Sequence, residues 1–229
     1  MISIEQLRFC YLQSQFELRI DQLQVAAGQR VAFVGPSGSG KTTLLNLIAG
    51  VSVPLSGNIT VDGQPISQLS DAKRRNFRIS RIGMVFQRFE LVPYLRAREN
   101  IRLPYLINGG LAWGSAAQSR LQELALQTGI DDKLGRFPEQ LSQGEQQRVA
   151  ICRALITRPA ILLADEPTGN LDVENKGLVL DLLFQQSAAV DGTLIVVTHD
   201  TGILGGFHRV IDFNEFRVTA GGSSRSNSQ

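Results

Sequence analysis

Three groups of residues have the types and spacing for phosphate chemistry. The first is Gly35-Pro36-Ser37-Gly38-Ser39-Gly40-Lys41-Thr42, which fits the pattern GxxxxGK(S/T). Phosphate oxygens need backbone N–H groups that come close, and the three glycines permit that approach. The apolar stretch Leu44 to Ala49 follows, and a helix there adds positive potential at its N-terminus. Lys41 then reaches the β- and γ-phosphates, and the Thr42 hydroxyl ligates Mg2+. The second group is Ile161-Leu162-Leu163-Ala164-Asp165-Glu166, an apolar run ending in two carboxylates. Beside a phosphate loop, Asp165 is the metal-side candidate and Glu166 the candidate base that polarises an attacking water. The third is Leu141-Ser142-Gln143-Gly144-Glu145, opening a helix that runs through Ile151 and Ala154. Ser142 and Glu145 have the spacing of a capping box, whereas a serine and a glycine at a helix start also form an anion site. Both readings stand for this segment.

Positioning these groups requires strands that end where the chemistry begins. Val31-Ala32-Phe33-Val34 is a short apolar run closed by glycine, as a buried parallel strand would be. Ile161 to Ala164 and Leu194 to Val197 are similar runs, each ending in polar or acidic residues. Between them the stretch 178–186 sets Leu178 and Leu182, then Val179 and Leu183, four apart on neighbouring helical faces. Buried strands alternating with helices predict an α/β core with ligands at the carboxyl ends of the strands. The segments 16–20 and 58–62 alternate and predict antiparallel strands. Residues 95–158 read as mainly helical, with a break at Gly109-Gly110 and an amphipathic stretch over 116–127. The terminal AGGSSRSNSQ, 220–229, is expected to be a disordered tail.

Composition narrows the function classes. A chain of 229 residues allows one domain, or two small ones sharing a core. With 23 Lys and Arg against 21 Asp and Glu, the net charge of +2 argues against a module held mainly by nucleic-acid phosphates. Aromatics at 7% offer little for base stacking. Cys10 and Cys152 are too few for a disulfide framework and are expected as small buried side chains in a reducing compartment. Residues 42–61 carry no charge and are long enough for a membrane span. Pro54, Gly50, Gly57, Asn46 and Asn58 interrupt them, so a buried helix, a turn and a strand are expected instead. The N-terminal MISIEQLRFCYLQ has no basic segment followed by a long apolar stretch, so no signal peptide is expected.

With these motifs in this order, the chain resembles the ATP-binding subunits of ABC transporters over roughly residues 2–217. The resemblance implies an α/β P-loop NTPase (RecA-like) core with an antiparallel β subdomain and an α-helical subdomain at about 88–158, in one domain over 1–219. It implies ATP and Mg2+, with Gly35, Pro36, Ser37, Gly38, Ser39, Gly40, Lys41, Thr42 and Thr43 around the nucleotide. Gln87, in Met84-Val85-Phe86-Gln87, matches the Q-loop, which the resemblance places at the metal and attacking water and in sensing the permease. Asp172, in Gly169-Asn170-Leu171-Asp172, matches the D-loop, and His199 the switch histidine that contacts γ-phosphate. Tyr11 fits the aromatic that stacks on adenine.

The signature segment departs from the usual Leu-Ser-Gly-Gly-Gln at Gln143 and Glu145, while Ser142 and Gly144, the residues expected to touch phosphate, remain. Glu145 suits the helix dipole but is unfavourable near γ-phosphate. The stretch Leu163 to Asp172 is similar to the lipoprotein-releasing, macrolide-export and cell-division ATPases. The implied protein is an ATP-hydrolysing motor subunit that closes head to tail on a second copy of itself or a paralogous ATPase. It would drive a separate integral membrane permease from the cytoplasmic face, with no nucleic acid and no membrane insertion of its own. The alternative is a nucleotide-dependent binding or signalling subunit with little turnover. The basic cluster Lys73-Arg74-Arg75, with Arg78 and Arg81, is expected to be a solvated face, a permease contact being the alternative.

Overall fold

The computed structural model describes residues 2–11, 16–169, 171 and 173–218. The proposed D-loop acid Asp172 and the expected tail lie outside these residues. The first strand, β1 (Ile2–Cys10), changes the parity of its alternation midway. Ile2 and Ile4 face inward, then Leu7 and Phe9, because Gln6 adopts φ 48° and the ladder register shifts there. Across from it in β4 (Ser56–Val61), a Cβ at Gly57 would sit 2.3 Å from the Gln6 carbonyl oxygen, so only glycine fits. Antiparallel β2 (Glu17–Val25) flanks β1 on its other side. With β5 (Gln64–Pro65) and β10 (Arg217–Val218) they form a sheet of order β10-β2-β1-β4-β5. Both predicted antiparallel segments belong to it. Cys10, at the end of β1, is only partly buried, contrary to expectation, because the strand is leaving the core there; Cys152 is fully buried.

The second sheet is parallel, of order β6-β7-β8-β3-β9, from β3 (Arg30–Val34), β6 (Ile82–Val85), β7 (Ile161–Asp165), β8 (Thr193–Thr198) and β9 (Arg209–Asp212). Its central strands carry unbroken apolar runs, Val31–Val34, Ile161–Ala164 and Leu194–Val197, because both faces are covered. Their register aligns the carboxyl ends: Val34 pairs with Thr198, Val197 with Asp165, and Ala164 with Val85. The loops that follow β3, β6, β7 and β8 therefore leave from one edge.

α1 (Lys41–Ile48) is buried between the two sheets, with Leu44, Leu47 and Ile48 fully covered. The uncharged run 42–61 is thus a core helix, a turn and a strand. α2 (Asp71–Arg81) carries the basic cluster, and the expectation of a solvated face holds only in part. Arg74 donates to the Leu69 carbonyl, and Arg78 reaches the carbonyls of Ala49 and Gly50 at the C-terminus of α1. Those carbonyls have no partner within α1, and a guanidinium also suits the negative end of its dipole.

The helical lobe comprises α3 (Ala97–Ile107), α4 (Ser115–Gln127) and α5 (Gln143–Leu155), with the glycine pair in the connection after α3. Ile101, Leu121, Leu124, Val149 and Ile151 pack there into a core that continues through Leu162 and Val196 into the parallel sheet. α6 (Val173–Ala188) runs between β7 and β8, longer than its periodic stretch 178–186.

Candidate active site

The phosphate loop leaves β3 with Gly38 at φ 76° and Gly40 at φ 106°, conformations that side chains resist. A Cβ at Gly40 would lie 2.6 Å from the Phe16 ring, so an aromatic wall stands directly against the loop. Gly40 precedes α1 and brings no side-chain cap, which leaves first-turn N–H groups for an anion. Lys41 folds back, its Nζ donating to Gly35 O at 2.7 Å and Pro36 O at 3.0 Å. Ser39 is fully buried, its N–H donating to Pro36 O at 3.3 Å, and it does not line the cavity above the loop.

A cavity of about 430 Å³ opens over this loop. Tyr11, Ser37, Gly38, Gly40, Lys41, Thr42, Thr43, Gln87, Asp165, Glu166 and His199 all line it, joined by Phe16. Gly35 and Pro36 stand behind Lys41. Ser142 and Gly144 lie elsewhere, at the start of α5, so within one chain they do not reach the cavity. There Ser142 Oγ accepts from the Glu145 N–H at 3.3 Å, and Glu145 Oε2 accepts from the Ser142 N–H at 2.7 Å. The capping-box reading is thus met, and it leaves the Ser142 hydroxyl hydrogen for another acceptor.

Two hydrogen-bonded pairs organise the polar floor. Thr42 Oγ1 donates to Asp165 Oδ2 at 2.7 Å, which fits the oxygen donors and few protein ligands that Mg2+ prefers. Gln87 opens on the same space and can add an amide oxygen. Among the described residues no three His, Cys, Asp or Glu side chains form a metal cage. A cation here would share its shell with phosphate and water. Burial pushes the Asp165 carboxyl above its usual range, against the lowering effect of Thr42. Burial also pushes the Lys41 ammonium below its usual range, while Glu166 and Asp165 pull it back up. Burial thus disfavours both charged forms, and a phosphate beside Lys41 with a cation beside Asp165 would favour them.

The second pair is Glu166 with His199. Glu166 sits at φ 46°, a conformation uncommon outside glycine, and its N–H is tied to Val197 O at 2.9 Å. Its Oε1 lies 2.7 Å from His199 Nδ1, and its Oε2 accepts from Thr198 Oγ1 at 3.1 Å. The Glu166 side chain is 8% exposed against 62% for His199, so a sheltered carboxylate is paired with an imidazole free to turn. Tyr11 stands at the rim, its hydroxyl 3.0 Å from Thr43 Oγ1 and its ring edge-on to Phe9 at 4.9 Å. The Tyr11 and Phe16 rings lie 5.9 Å apart in the cavity wall.

Sequence reasoning missed Phe16 and Thr198. Phe16 opens an alternating segment in the sequence, and only the fold brings it against Gly40. Thr198 did carry a signal, as a hydroxyl residue closing an otherwise apolar strand just before His199.

Comparison with known proteins gives the family. The family model for ABC transporters matches residues 18–169. The lipoprotein-releasing system ATP-binding protein LolD of Xanthomonas euvesicatoria is 40% identical over 196 residues, covering 86% of this chain and 80% of that protein. The ABC transporter ATP-binding protein YbbA of Escherichia coli is 43% identical over 205 residues, covering 87% of this chain and 88% of its own. Among solved structures, the dimeric post-hydrolysis state of the ATP-binding cassette MJ0796, bound to ADP and Pi, superposes with a TM-score of 0.85 at 32% identity. It covers 97% of this chain and 100% of that one. The family match over residues 18–169, with relatives at 40% and 43% identity over most of both chains, shows that the chain belongs to the ABC transporter ATP-binding family.

Proposed function

We propose that the protein is an ATP-hydrolysing motor subunit of a bacterial ABC membrane complex, of the export or mechanotransmission type. The observation that carries the reading is the single cavity in which Lys41, the Thr42–Asp165 pair and the Glu166–His199 pair converge. Tyr11 stacks on adenine, and the loop from Gly35 to Thr43 cradles the phosphates of the substrate. Lys41 leaves its two carbonyl partners for the β- and γ-phosphates. Thr42, Asp165 and Gln87 hold Mg2+, which when bound neutralises charge building on the phosphate oxygens. Glu166 orients the attacking water and takes its proton, while His199 turns toward the γ-phosphate.

Ser142 and Gly144 complete the site from a second copy, in a head-to-tail pair. The dimeric MJ0796 cassette supports this arrangement, as does the hydroxyl hydrogen that the capping box leaves unused. A paralogous ATPase in place of the second copy would present the same surfaces. Asp172 is assigned to nucleotide binding on its D-loop motif alone.

The permease partner is supported by an apolar groove of about 280 Å³ between α2, β6 and α3, lined by Ile79, Met84, Leu103 and Ile107 among others. Among the described residues no helix is long and apolar enough to cross a membrane. The proposed place of the subunit is the cytoplasmic face, on that partner. The test is Glu166→Gln in the purified chain: ATP turnover is lost, and ATP with Mg2+ traps a dimer on size exclusion. Turnover equal to wild type removes Glu166 as the base. A binding or signalling subunit with little turnover is the second reading, favoured by the fixed Glu145 carboxylate at the signature helix. A rate that stays negligible with the permease present selects it.

A further inference from the structure

We infer that Thr198 is a positioning residue that aims the Glu166 carboxylate; the inference rests on the reading of Glu166 as the base. Thr198 is fully buried at the end of β8, in register with Val34, where the phosphate loop begins. Its Oγ1 accepts from the Asp200 N–H at 3.0 Å and lies 3.1 Å from Glu166 Oε2. A hydroxyl has one hydrogen, and an N–H can only donate. The Thr198 hydrogen is therefore directed at the carboxylate. The backbone bond to Asp200 thus sets the direction of the bond to Glu166.

Asp200 is itself anchored on two sides. Its Oδ1 accepts from the Gly202 N–H at 2.9 Å, and its Oδ2 from Lys176 Nζ in α6 at 2.7 Å. Three elements therefore fix the Thr198 hydroxyl before any substrate enters. The other carboxylate partner is different in kind. His199 is largely exposed, and in the proposed cycle it leaves Glu166 for the γ-phosphate. During that step Thr198 is, among the described residues, the side chain still bonded to the carboxylate, on a backbone already at an uncommon φ. Without the hydroxyl the carboxylate can follow His199 outward or rotate, and misplacement on the order of 1 Å is enough to slow a proton transfer about 10²-fold.

The test compares Thr198→Val, which keeps the shape, with Thr198→Ser, which keeps the hydroxyl, in the full chain. T198V is expected to lower kcat roughly 10- to 100-fold with KM for ATP within about twofold of wild type. T198S is expected to restore kcat to within about threefold. As a second readout of the same slowing, T198V should accumulate an ATP-trapped dimer on size exclusion, as slow hydrolysis prolongs closure. Should T198V not fold, T198A against T198S makes the same hydroxyl comparison. The inference is overturned if T198V turns over like wild type, if T198S is as slow as T198V, or if the loss lies in KM. Failure of the parent reading has a different signature: E166Q would then be as active as wild type.

Discussion

Glu145 carries both a structural and an electrostatic consequence in one side chain. The Ser142 N–H holds its carboxyl below the ordinary value of 4.5. The native state therefore binds fewer protons than the unfolded chain between the depressed value and 4.5. The stabilisation is present above 4.5 and is lost as pH falls through the native value. Gln at this position keeps the acceptor for Ser142 and removes the charge, so the urea midpoint of E145Q should lack this acid sensitivity. The same change removes a negative charge from the helix end proposed to face the γ-phosphate of a second copy. ATP turnover of E145Q is expected to rise about fivefold, for on the order of 1 kcal/mol of relieved repulsion. Turnover at or below the wild-type rate would show that this charge does not retard closure. The cysteines give a simpler contrast. Burial pushes the Cys152 thiol up to about 12, whereas Cys10 is partly exposed. Iodoacetamide on the native protein should add one label, at Cys10, and a second only in denaturant, as read by intact mass.

At the scale of elements, Arg153 joins the helix that opens with Ser142 to the segment that follows Gln87. From the buried face of α5 it donates to the carbonyls of Phe89 and Glu90, each at 2.5 Å. Those two residues have φ of 60° and 49°, so the guanidinium secures a turn the chain would not hold unaided. Burial lowers its pKa to about 10, which leaves it cationic at neutral pH. Arg153→Met should cost roughly 2–3 kcal/mol in denaturant titration, since two carbonyls lose a charged donor. A cost near zero would mean that water satisfies them. None of this was readable in the sequence, because a long cation donating to backbone carbonyls leaves no pattern in side-chain types. Arg78 over the end of α1 escaped for the same reason. The strands bearing the site were legible because burial on both faces writes them as unbroken apolar runs, and the loops because phosphate demands glycine. Phe16 was not, since its role depends on two sheets meeting.

For the whole molecule, the separation of Ser142 and Gly144 from the cavity makes a prediction about two chains. One copy supplies the phosphate loop and carboxylates, and the start of its α5 lies elsewhere. In a two-fold pair each site then takes one half from each copy. Lys41→Ala spoils the loop half. Ser142→Asp spoils the other half, because it keeps a capping acceptor for α5 but sets a charge against phosphate. Each variant alone has no complete site. In an equal mixture, half the pairs are mixed, and each mixed pair has one site with both halves intact. Turnover of the mixture should therefore reach roughly a quarter of wild type, well above the sum of the separate variants. The dependence on total protein should be steeper than linear at low concentration, since pairs must form first. A mixture no faster than its components would mean that each chain completes its own site, and the head-to-tail arrangement would have to be abandoned.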